Sequence, residues 1–331
     1  MSGFAAWRPP APPELVGLLA PNEALTGARL VPVPGGTGPE DAVVGTAGEV
    51  FSAVADGRIL RWQPGGEGEP AVVASTGGRP LGVEVDADGS LIVCDSDRGL
   101  LRVRVDDGGT VEVLVAAGSP AVPGGLRFCN NATIGPDGTV YFTNSSAIAG
   151  VHDYRRDLLA HQPSGSLMAL PPGAREPSVV AQGLYFANGV ALTADGTAAL
   201  VAETATYRVL RVPLDGDEVS VAADNLPGFP DNLSRSPRGT FWLALPDGRS
   251  GALDSLLPRP RIRRLVAALP ESWQPQPARY GLVLELTEDG TVLRSLHDPT
   301  GRVAFRTGAR EHDGLLYLGS LSEPTLAVVD L

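Results

Sequence analysis

The sequence predicts an all-β fold, a six-bladed β-propeller with a central metal site and a small helical insertion. The 331-residue chain contains 41 glycines and 30 prolines, which indicates many short elements joined by tight turns. Six segments repeat one design, in which a polar turn that ends in glycine precedes a β-rich strand. Successive turn glycines are 41 to 75 residues apart, a spacing that brackets the length of a four-stranded propeller blade.

Each of the six repeats supplies one predicted blade. Their turns read "TAGEV", "DADGS", "GPDGT", "TADGT", "SPRGT" and "EHDGL", and the glycines are Gly48, Gly89, Gly138, Gly196, Gly239 and Gly314. Segments between them, such as "GRILRWQ" and "YRVLRVPL", supply the outer strands. A β-sandwich is the alternative, but it needs only about seven to nine strands, fewer than the strand candidates in this chain.

One domain is expected to span residues 1–331, because each blade adds its own part of the core. A strand near "ARLVPV" at the N-terminus is predicted to pair with "TLAVVDL" at the C-terminus. This pairing would close the ring and remove the exposed strand edges that an open array would leave.

Two segments interrupt the repeats. The first is "SSAIAGVHDYRRDLLAHQPSGSL", and the second is a lid insertion predicted at about 246–280. In "RIRRLVAALPESW", residues 261–273, apolar side chains recur at i, i+3, i+4 and i+7, which predicts a helix with one apolar face. The apolar face comprises Ile262, Leu265, Val266 and Leu269, and the predicted solvent face comprises Arg261, Arg263 and Arg264. The helix either packs on the rim of the propeller or forms a lid over a central pocket.

The charge of the chain argues against several classes of function. Its formal net charge is −12, which argues against nucleic acid and against a membrane surface as partners. All 26 basic residues are arginines, so Schiff-base chemistry on a lysine is excluded. Cys94 and Cys129 lack the spacing of a zinc site, and we expect buried free thiols. The N-terminal segment has no signal-peptide pattern, which predicts a cytoplasmic protein.

Four residues with side-chain oxygen atoms occupy equivalent places, shortly before or beside the innermost strands of four predicted blades. They are Glu40, Asn130, Asn188 and Asp231. Each taken alone lies in a common turn sequence, which needs no metal to explain it. Innermost strands converge on the axis of a propeller, however, so the four side chains would meet there. Two carboxylates and two amides suit Ca²⁺, or another divalent cation that prefers oxygen.

Several stretches resemble the strictosidine synthase-like family, which includes the adipocyte plasma membrane-associated proteins. They are "GPEDAV", "RFCNNATIGPDGTVYFTNSS", "GLYFANGVALTADGT", "NLPGFPDNLSRSPRGTFWLAL" and "EHDGLLYLGSL". The chain is more remotely similar to the gluconolactonase and paraoxonase superfamily. The resemblance, which covers roughly residues 20–331, implies a six-bladed propeller. It also implies that a calcium ion on the axis is held by Glu40, Asn130, Asn188 and Asp231, with Asp41 and Asn232 as auxiliary ligands.

The chain departs from the family pattern at two places. Asn131 stands where many relatives carry an aspartate, which removes a negative charge near the metal. Thr307 stands four residues before the glutamate of "EHDG", at the place where strictosidine synthase carries another glutamate. A threonine hydroxyl cannot act as the base that an amine condensation requires, so alkaloid synthesis is disfavoured.

The leading hypothesis is a Ca²⁺-dependent hydrolase that acts on lactones or on carboxylic and aryl esters. The metal would polarise the substrate, and a carboxylate would serve as base or nucleophile. Asp231 is the first candidate for that role, although plain ligation explains it equally well, and His152 in the first insertion is the second candidate. The alternatives are a non-catalytic propeller that binds a small molecule or a protein around a structural metal, and a strictosidine synthase-like biosynthetic enzyme. The identity of the small-molecule substrate and the oligomeric state stay open.

Overall fold

The computed structural model describes residues 3–270, 273–274 and 276–331. Within these ranges, 24 β-strands form six four-stranded antiparallel sheets, arranged as the blades of a propeller. The predicted six-bladed β-propeller is therefore confirmed. No helix in the described ranges is both long enough and apolar enough to cross a lipid bilayer.

The strands of each blade follow one another in the chain, except that β1 (Arg29–Pro32) precedes the first blade. The first three blades consist of β2 (Ala42–Val44), β3 (Val50–Ala53), β4 (Arg58–Gln63) and β5 (Glu67–Ser75); β6 (Pro80–Val85), β7 (Leu91–Asp95), β8 (Gly99–Arg104) and β9 (Thr110–Ala116); and β10 (Cys129–Ile134), β11 (Val140–Asn144), β12 (Gly165–Leu170) and β13 (Ser178–Leu184). The other three consist of β14 (Ala187–Leu192), β15 (Ala198–Glu203), β16 (Arg208–Pro213) and β17 (Ser220–Ala223); β18 (Leu233–Arg235), β19 (Phe241–Ala244), β20 (Gly281–Leu286) and β21 (Val292–Asp298); and β22 (Arg306–His312), β23 (Leu315–Ser320), β24 (Thr325–Asp330) and β1.

The first strand of each blade lies innermost and contacts the first strands of both neighbouring blades. These strands are β2, β6, β10, β14, β18 and β22, and their contacts form a closed ring around the axis. In the sixth blade β1 pairs with β24, and Leu30 lies opposite Ala327. The predicted pairing of the two ends of the chain is therefore confirmed.

The repeated turns determine where the second strand of every blade begins. All six turn glycines have positive φ angles, from 69° at Gly196 to 84° at Gly48, a conformation that residues with a Cβ rarely adopt. In each repeat the second strand starts one or two residues after the glycine. Several of these second strands, such as β7 and β15, are buried along their whole length.

The core lies between neighbouring blades and has no single centre. Val43 of the first blade packs with Val83 and Val93 of the second, for example. Cys94 and Cys129 lie in one apolar cluster of the second and third blades, and both are buried free thiols, as expected. Each blade therefore buries its faces against its neighbours, as the units of repeat proteins do.

Three short helices and the N-terminal segment form a roof over one end of the ring. The helices are α1 (Tyr154–Ala160), α2 (Gly251–Leu256) and α3 (Pro260–Ala267), and α3 contacts both of the others. The N-terminal segment crosses the helices. The Ala5 amide donates to the carbonyl of Ala160 at 3.0 Å, and the Trp7 amide donates to that of Leu257 at 3.2 Å.

The second insertion is helical, but its helix is shorter than predicted and only part of its predicted orientation is correct. α3 ends at Ala267, and residues 271–272 of the predicted helix lie outside the described residues. Arg263, predicted in solvent, is fully buried, whereas Leu265, predicted in the interface, is 70% exposed. Arg261 and Arg264 are exposed as predicted. The prediction is wrong for Arg263, which turns inwards because its guanidinium donates to the carbonyls of Leu159 and Ala5. Leu159 lies in the last turn of α1, where helix carbonyls lack partners.

Candidate functional site

The four predicted ligand residues line one cavity of about 1010 Å³ between the ring and the roof. Asn130 and Asn188 are the second residues of β10 and β14, whereas Glu40 and Asp231 lie two residues before β2 and β18. All four therefore sit at the same end of the innermost strands. The fold brings these four side chains, which are far apart in the sequence, to the side of the cavity formed by the ring of innermost strands. We call this side the floor.

The remaining two blades contribute Leu81 and Thr307 to the floor of the cavity. Each is the second residue of its innermost strand, in β6 and β22. The Thr307 hydroxyl donates to the backbone carbonyl of Glu40 at 2.7 Å and so joins the sixth blade to the first. Sequence reasoning did not find Leu81, because an apolar residue at this position gives no signal of a site.

Irregular strand pairing places the two amide side chains on the floor. In β10 the register with β11 shifts between Cys129 and Ala132, so Asn130 lies within a β-bulge. β14 carries a corresponding shift between Ala187 and Val190, around Asn188. Bulges change the direction of the side chains that they contain, and they occur often beside active sites.

Close contact between inner strands requires glycine beside this floor. Gly189 follows Asn188, and a Cβ added to it would lie 2.2 Å from the backbone nitrogen of Leu233 in the fifth blade. A larger residue would therefore force the fourth and fifth blades apart.

The Ser145 hydroxyl fixes the orientation of the Asn130 amide. It donates its only hydrogen to the carbonyl of Ala187 at 2.7 Å. Towards Asn130 it can therefore only accept, and it does so from Nδ2 at 2.8 Å. The amide oxygen Oδ1 of Asn130 is left buried and without a hydrogen-bond partner among the described residues.

The fourth blade repeats this arrangement at Asn188. The Thr204 hydroxyl donates to the carbonyl of Pro230 at 2.6 Å and accepts from Nδ2 of Asn188 at 3.1 Å. Oδ1 of Asn188 is again buried without a partner in the described structure. Ser145 and Thr204 each follow the second strand of their blade directly, a matched position that sequence reasoning missed.

Glu40 and Asn232 provide two more buried oxygen atoms without partners. Oε1 of Glu40 accepts from Nδ2 of Asn232 at 2.9 Å, which leaves Oε2 of Glu40 and Oδ1 of Asn232 unpaired among the described residues. Four buried oxygens without hydrogen-bond donors are costly in free energy. A hard cation that takes oxygen ligands would satisfy them, so the residues present fit the calcium site that the resemblance implies.

The carboxyl groups of Glu40 and Asp231 are poorly solvated, and their negative charges repel each other. Burial raises the pKa of Glu40 well above its usual value, and the charges of Asp231 and Asp41 raise it further. Burial also raises the pKa of Asp231 to about 8, although the Asn188 side chain and the Asn232 backbone amide lower it. Asp231 as a whole is only half-buried, since it faces the cavity. Such a pair favours a bound cation over two free charges.

The donor set is unlike that of a zinc site. Within the described ranges, no group of three His, Cys, Asp or Glu side chains is placed to hold a metal ion. The candidate site depends instead on amide oxygens beside two carboxylates, which suits calcium.

The walls of the cavity are mostly apolar. Aromatic rings from several blades line it, namely Phe128, Phe186, Phe229, Tyr280 and Phe305. The roof adds Tyr154 and Leu158 from α1, Leu253 and Leu256 from α2, and Val266 from α3. An oxygen-lined floor beneath apolar walls fits a substrate with an apolar body and one polar group that reaches the floor.

Sequence comparisons place this chain among known proteins. Residues 17–62 match the family model described as "Strictosidine synthase-like, N-terminal", and residues 130–216 match "Strictosidine synthase". Adipocyte plasma membrane-associated protein from Salmo salar is 35% identical over 346 residues, with 97% of this chain and 82% of that protein covered. The chain belongs to the strictosidine synthase-like family.

A plant member shows a similar level of identity. The strictosidine synthase-like 10 protein of Arabidopsis thaliana is 34% identical to the present chain over 352 residues, with 97% of this chain and 92% of that protein covered. The two family models span Glu40, Asn130 and Asn188 but not Asp231.

Solved structures agree with the fold of this strictosidine synthase-like chain. A gluconolactonase from Xanthomonas campestris superposes with a TM-score of 0.65 at 19% identity, with 99% of this chain and 98% of that chain covered. The calcium-binding protein regucalcin from Agrobacterium tumefaciens gives a TM-score of 0.62 at 15% identity, with 92% and 93% covered. At these identities the likeness concerns the propeller fold alone.

Asp41 and Asn131, each next to a predicted ligand, join neighbouring blades. Asp41 accepts from the backbone nitrogens of Ala42 at 2.9 Å and Val83 at 3.4 Å. Asn131 accepts through Oδ1 from the Val190 backbone nitrogen at 3.2 Å, so its side chain links the third blade to the fourth. Asp41, Asn131 and Asn232 do not line the cavity, and Asn232 is joined to the floor through its hydrogen bond to Glu40.

The structure does not bring His152 to the floor. Its side chain is 75% exposed, lies 3.2 Å from Asp97 and does not line the cavity. His297 does line the cavity, and its ring nitrogens contact the Tyr280 hydroxyl and the Ser295 hydroxyl, each at 2.8 Å. The sequence favoured His152 over His297, because His297 lies in β21, the outermost strand of the fifth blade, where no site was expected.

Proposed function

We propose that this protein is a Ca²⁺-dependent hydrolase of lactones or of carboxylic and aryl esters. The observation that carries the proposal is a group of four buried oxygen atoms that lack hydrogen-bond partners among the described residues. Those of Glu40, Asn130 and Asn188 belong to residues of the floor, and the fourth belongs to Asn232, which bonds to Glu40. The apolar cavity above this floor suits a neutral substrate whose carbonyl oxygen points to the floor.

Glu40, Asn130, Asn188 and Asp231 would hold the ion. When bound, Ca²⁺ would supply a Lewis acid that polarises the carbonyl oxygen of the substrate. The hydroxyls of Ser145 and Thr204 keep the two amide oxygens directed at the floor before any ligand arrives. This preorganisation would lower the cost of assembling the site.

Asp231 is the proposed base or nucleophile. It is half-buried and faces the cavity, so one carboxylate oxygen can meet a water molecule or the substrate carbon. The surrounding aromatic walls would exclude other water and position the acyl or aryl group. Thr307 has no part in proton transfer here, because its hydroxyl already donates to Glu40.

A non-catalytic binding function is the second candidate. Glu40 and Asp231, the two acids on the described part of the floor, are both proposed metal ligands, and His152 lies outside the cavity. Neither acid is therefore reserved for catalysis, which favours a binding function. A biosynthetic role like that of strictosidine synthase has less support, because Thr307 replaces the acid that such chemistry uses.

A hydrolysis screen tests the proposal. Lactones, aryl esters and alkyl esters would be offered to the chelator-stripped protein with and without Ca²⁺. We expect turnover that Ca²⁺ restores and that Asp231→Asn abolishes, while Asp215→Asn, at an exposed aspartate, has no effect. Tight calcium binding without turnover of any substrate in the screen would favour the binding function instead.

A further inference from the structure

Helix α3 presents an apolar face to solvent. This surface, which we call the α3 apolar face, consists of Ile262 and Leu265 in α3 and of Leu269 and Trp273 after the end of the helix, and these residues are 44%, 70%, 40% and 74% exposed. Ile262 and Leu265 are three residues apart in the helix and so share one side of it. Several exposed apolar side chains in one short segment are typical of a surface that binds a protein or a membrane.

Arginines surround the α3 apolar face. Arg259, Arg261 and Arg264 are all exposed. Arg259 donates to the carbonyl of Ser255 at 3.0 Å and Arg264 lies 5.6 Å from the centre of the Phe4 ring, but none of the three forms an ion pair within the described residues. The helix is therefore locally basic in a chain whose net charge is −12.

The α3 apolar face adjoins the cavity of the candidate site. Val266, on the same helix, lines that cavity, and so does Leu15 of the N-terminal segment. Leu15 is followed by Val16 and Leu18, which are 64% and 58% exposed. Exposed apolar side chains are thus concentrated on the two segments that border the cavity on the roof side.

We propose that the α3 apolar face docks on an anionic lipid bilayer. Exposed isoleucine and leucine on a short helix, followed by exposed leucine and tryptophan and accompanied by arginines, give the composition of an interfacial membrane segment. The arginines would contact lipid phosphates, and Trp273 would lie at the headgroup level. This departs from the sequence expectation of no membrane partner, since that expectation used the net charge of the chain and not the charge of this helix.

A second copy of the chain is a poorer occupant for this face. In a symmetric dimer the same surface meets itself, so the three arginines of one copy would approach those of the other. Like charges at such an interface would repel, whereas a bilayer that contains anionic lipid would attract them.

Vesicle co-sedimentation tests the proposal. The full chain would be mixed with phosphatidylcholine vesicles that contain or lack phosphatidylserine. We expect binding to the anionic vesicles, with a shift of Trp273 emission to shorter wavelength. Leu265→Glu should weaken binding about tenfold or more, because the buried area of one leucine is lost. Arg261→Gln should weaken binding to anionic vesicles about fivefold.

The matched control is Val72→Glu, at a residue that is 56% exposed on β5 of the first blade. It adds the same charge away from α3 and should bind vesicles as the wild type does. Equal vesicle binding by Leu265→Glu and wild type would overturn the proposal. So would a wild type that does not bind anionic vesicles, or one that forms a dimer which Leu265→Glu disrupts. The test is independent of hydrolysis, so it stands or falls separately from the proposed function.

Discussion

Replacement of Thr204 by valine removes one hydroxyl and keeps the shape of the side chain. Thr204 is buried, and its hydroxyl lies between Nδ2 of Asn188 at 3.1 Å and the carbonyl oxygen of Pro230 at 2.6 Å. The valine variant leaves both groups buried without their partner. Each such group costs about 1–3 kcal/mol, so we expect the free energy of unfolding to fall by roughly 2–6 kcal/mol in the absence of metal.

The same variant should also bind calcium less well. Without the hydroxyl, the Asn188 amide loses the acceptor that fixes its orientation. Loss of a group that orients a ligand costs about 10–100-fold in metal affinity. Calorimetric titration of the folded, chelator-stripped protein would measure this. Thr204→Ser should retain the wild-type affinity, because it keeps the hydroxyl.

Thr193→Val provides a control for loss of a buried threonine hydroxyl in the same blade. Thr193 bonds to Ala198 and Asp195 and does not line the cavity. This variant should lose stability but keep its calcium affinity. Wild-type calcium affinity in Thr204→Val would refute the reasoning about amide orientation, even if that variant were destabilised.

Three further predictions concern the site, the roof and the ring. Asp231→Ala should abolish the rise in melting temperature that Ca²⁺ gives to the wild type, a stabilisation of about 2.7 kcal/mol at 100 times the dissociation constant; an unchanged rise would show that Asp231 is no ligand. Burial raises the pKa of Asp157 in α1 from 3.8 to about 7, so the folded state holds a proton that the unfolded state releases between these values. Stability should therefore be full below the lower value and fall as pH rises through about 7, and Asp157→Asn should remove this dependence in denaturation curves; an equal pH dependence in the variant would contradict the assignment. Gly189→Ala should destabilise the fold by about 1–3 kcal/mol or more, because the added Cβ would meet the Leu233 backbone. Gly248→Ala should not, because open space surrounds that position. Equal stability of the two variants would contradict the close approach of the blades.

The fold could be predicted because its signals are local. A turn that needs glycine at positive φ, followed by a buried strand, gives the same pattern in every blade wherever it occurs. The ring closure followed from the cost of unpaired strand edges. The floor residues could be placed for a related reason, since equivalent positions on innermost strands must meet at the axis.

The features that sequence reasoning missed depend on contacts between distant segments. Periodicity identified the apolar side of α3, but not that Arg263 would be drawn inwards by carbonyls of Leu159 and Ala5. Serine and threonine after a strand are common, so Ser145 and Thr204 gave no signal until their partners were known. His297 lines the cavity although it belongs to the outermost strand of its blade, and the pattern of innermost strands could not indicate this.

A ring closed by both ends of its own chain cannot be completed early in protein synthesis. β1 leaves the ribosome before any blade exists, yet its partner β24 is the last strand of the propeller to be made. Until then the nascent chain carries an unpaired strand edge at each end of the array, which other chains can add to. A premature stop codon just before β24 would spare every residue of the floor and still leave β1 unpaired and one edge of β23 open.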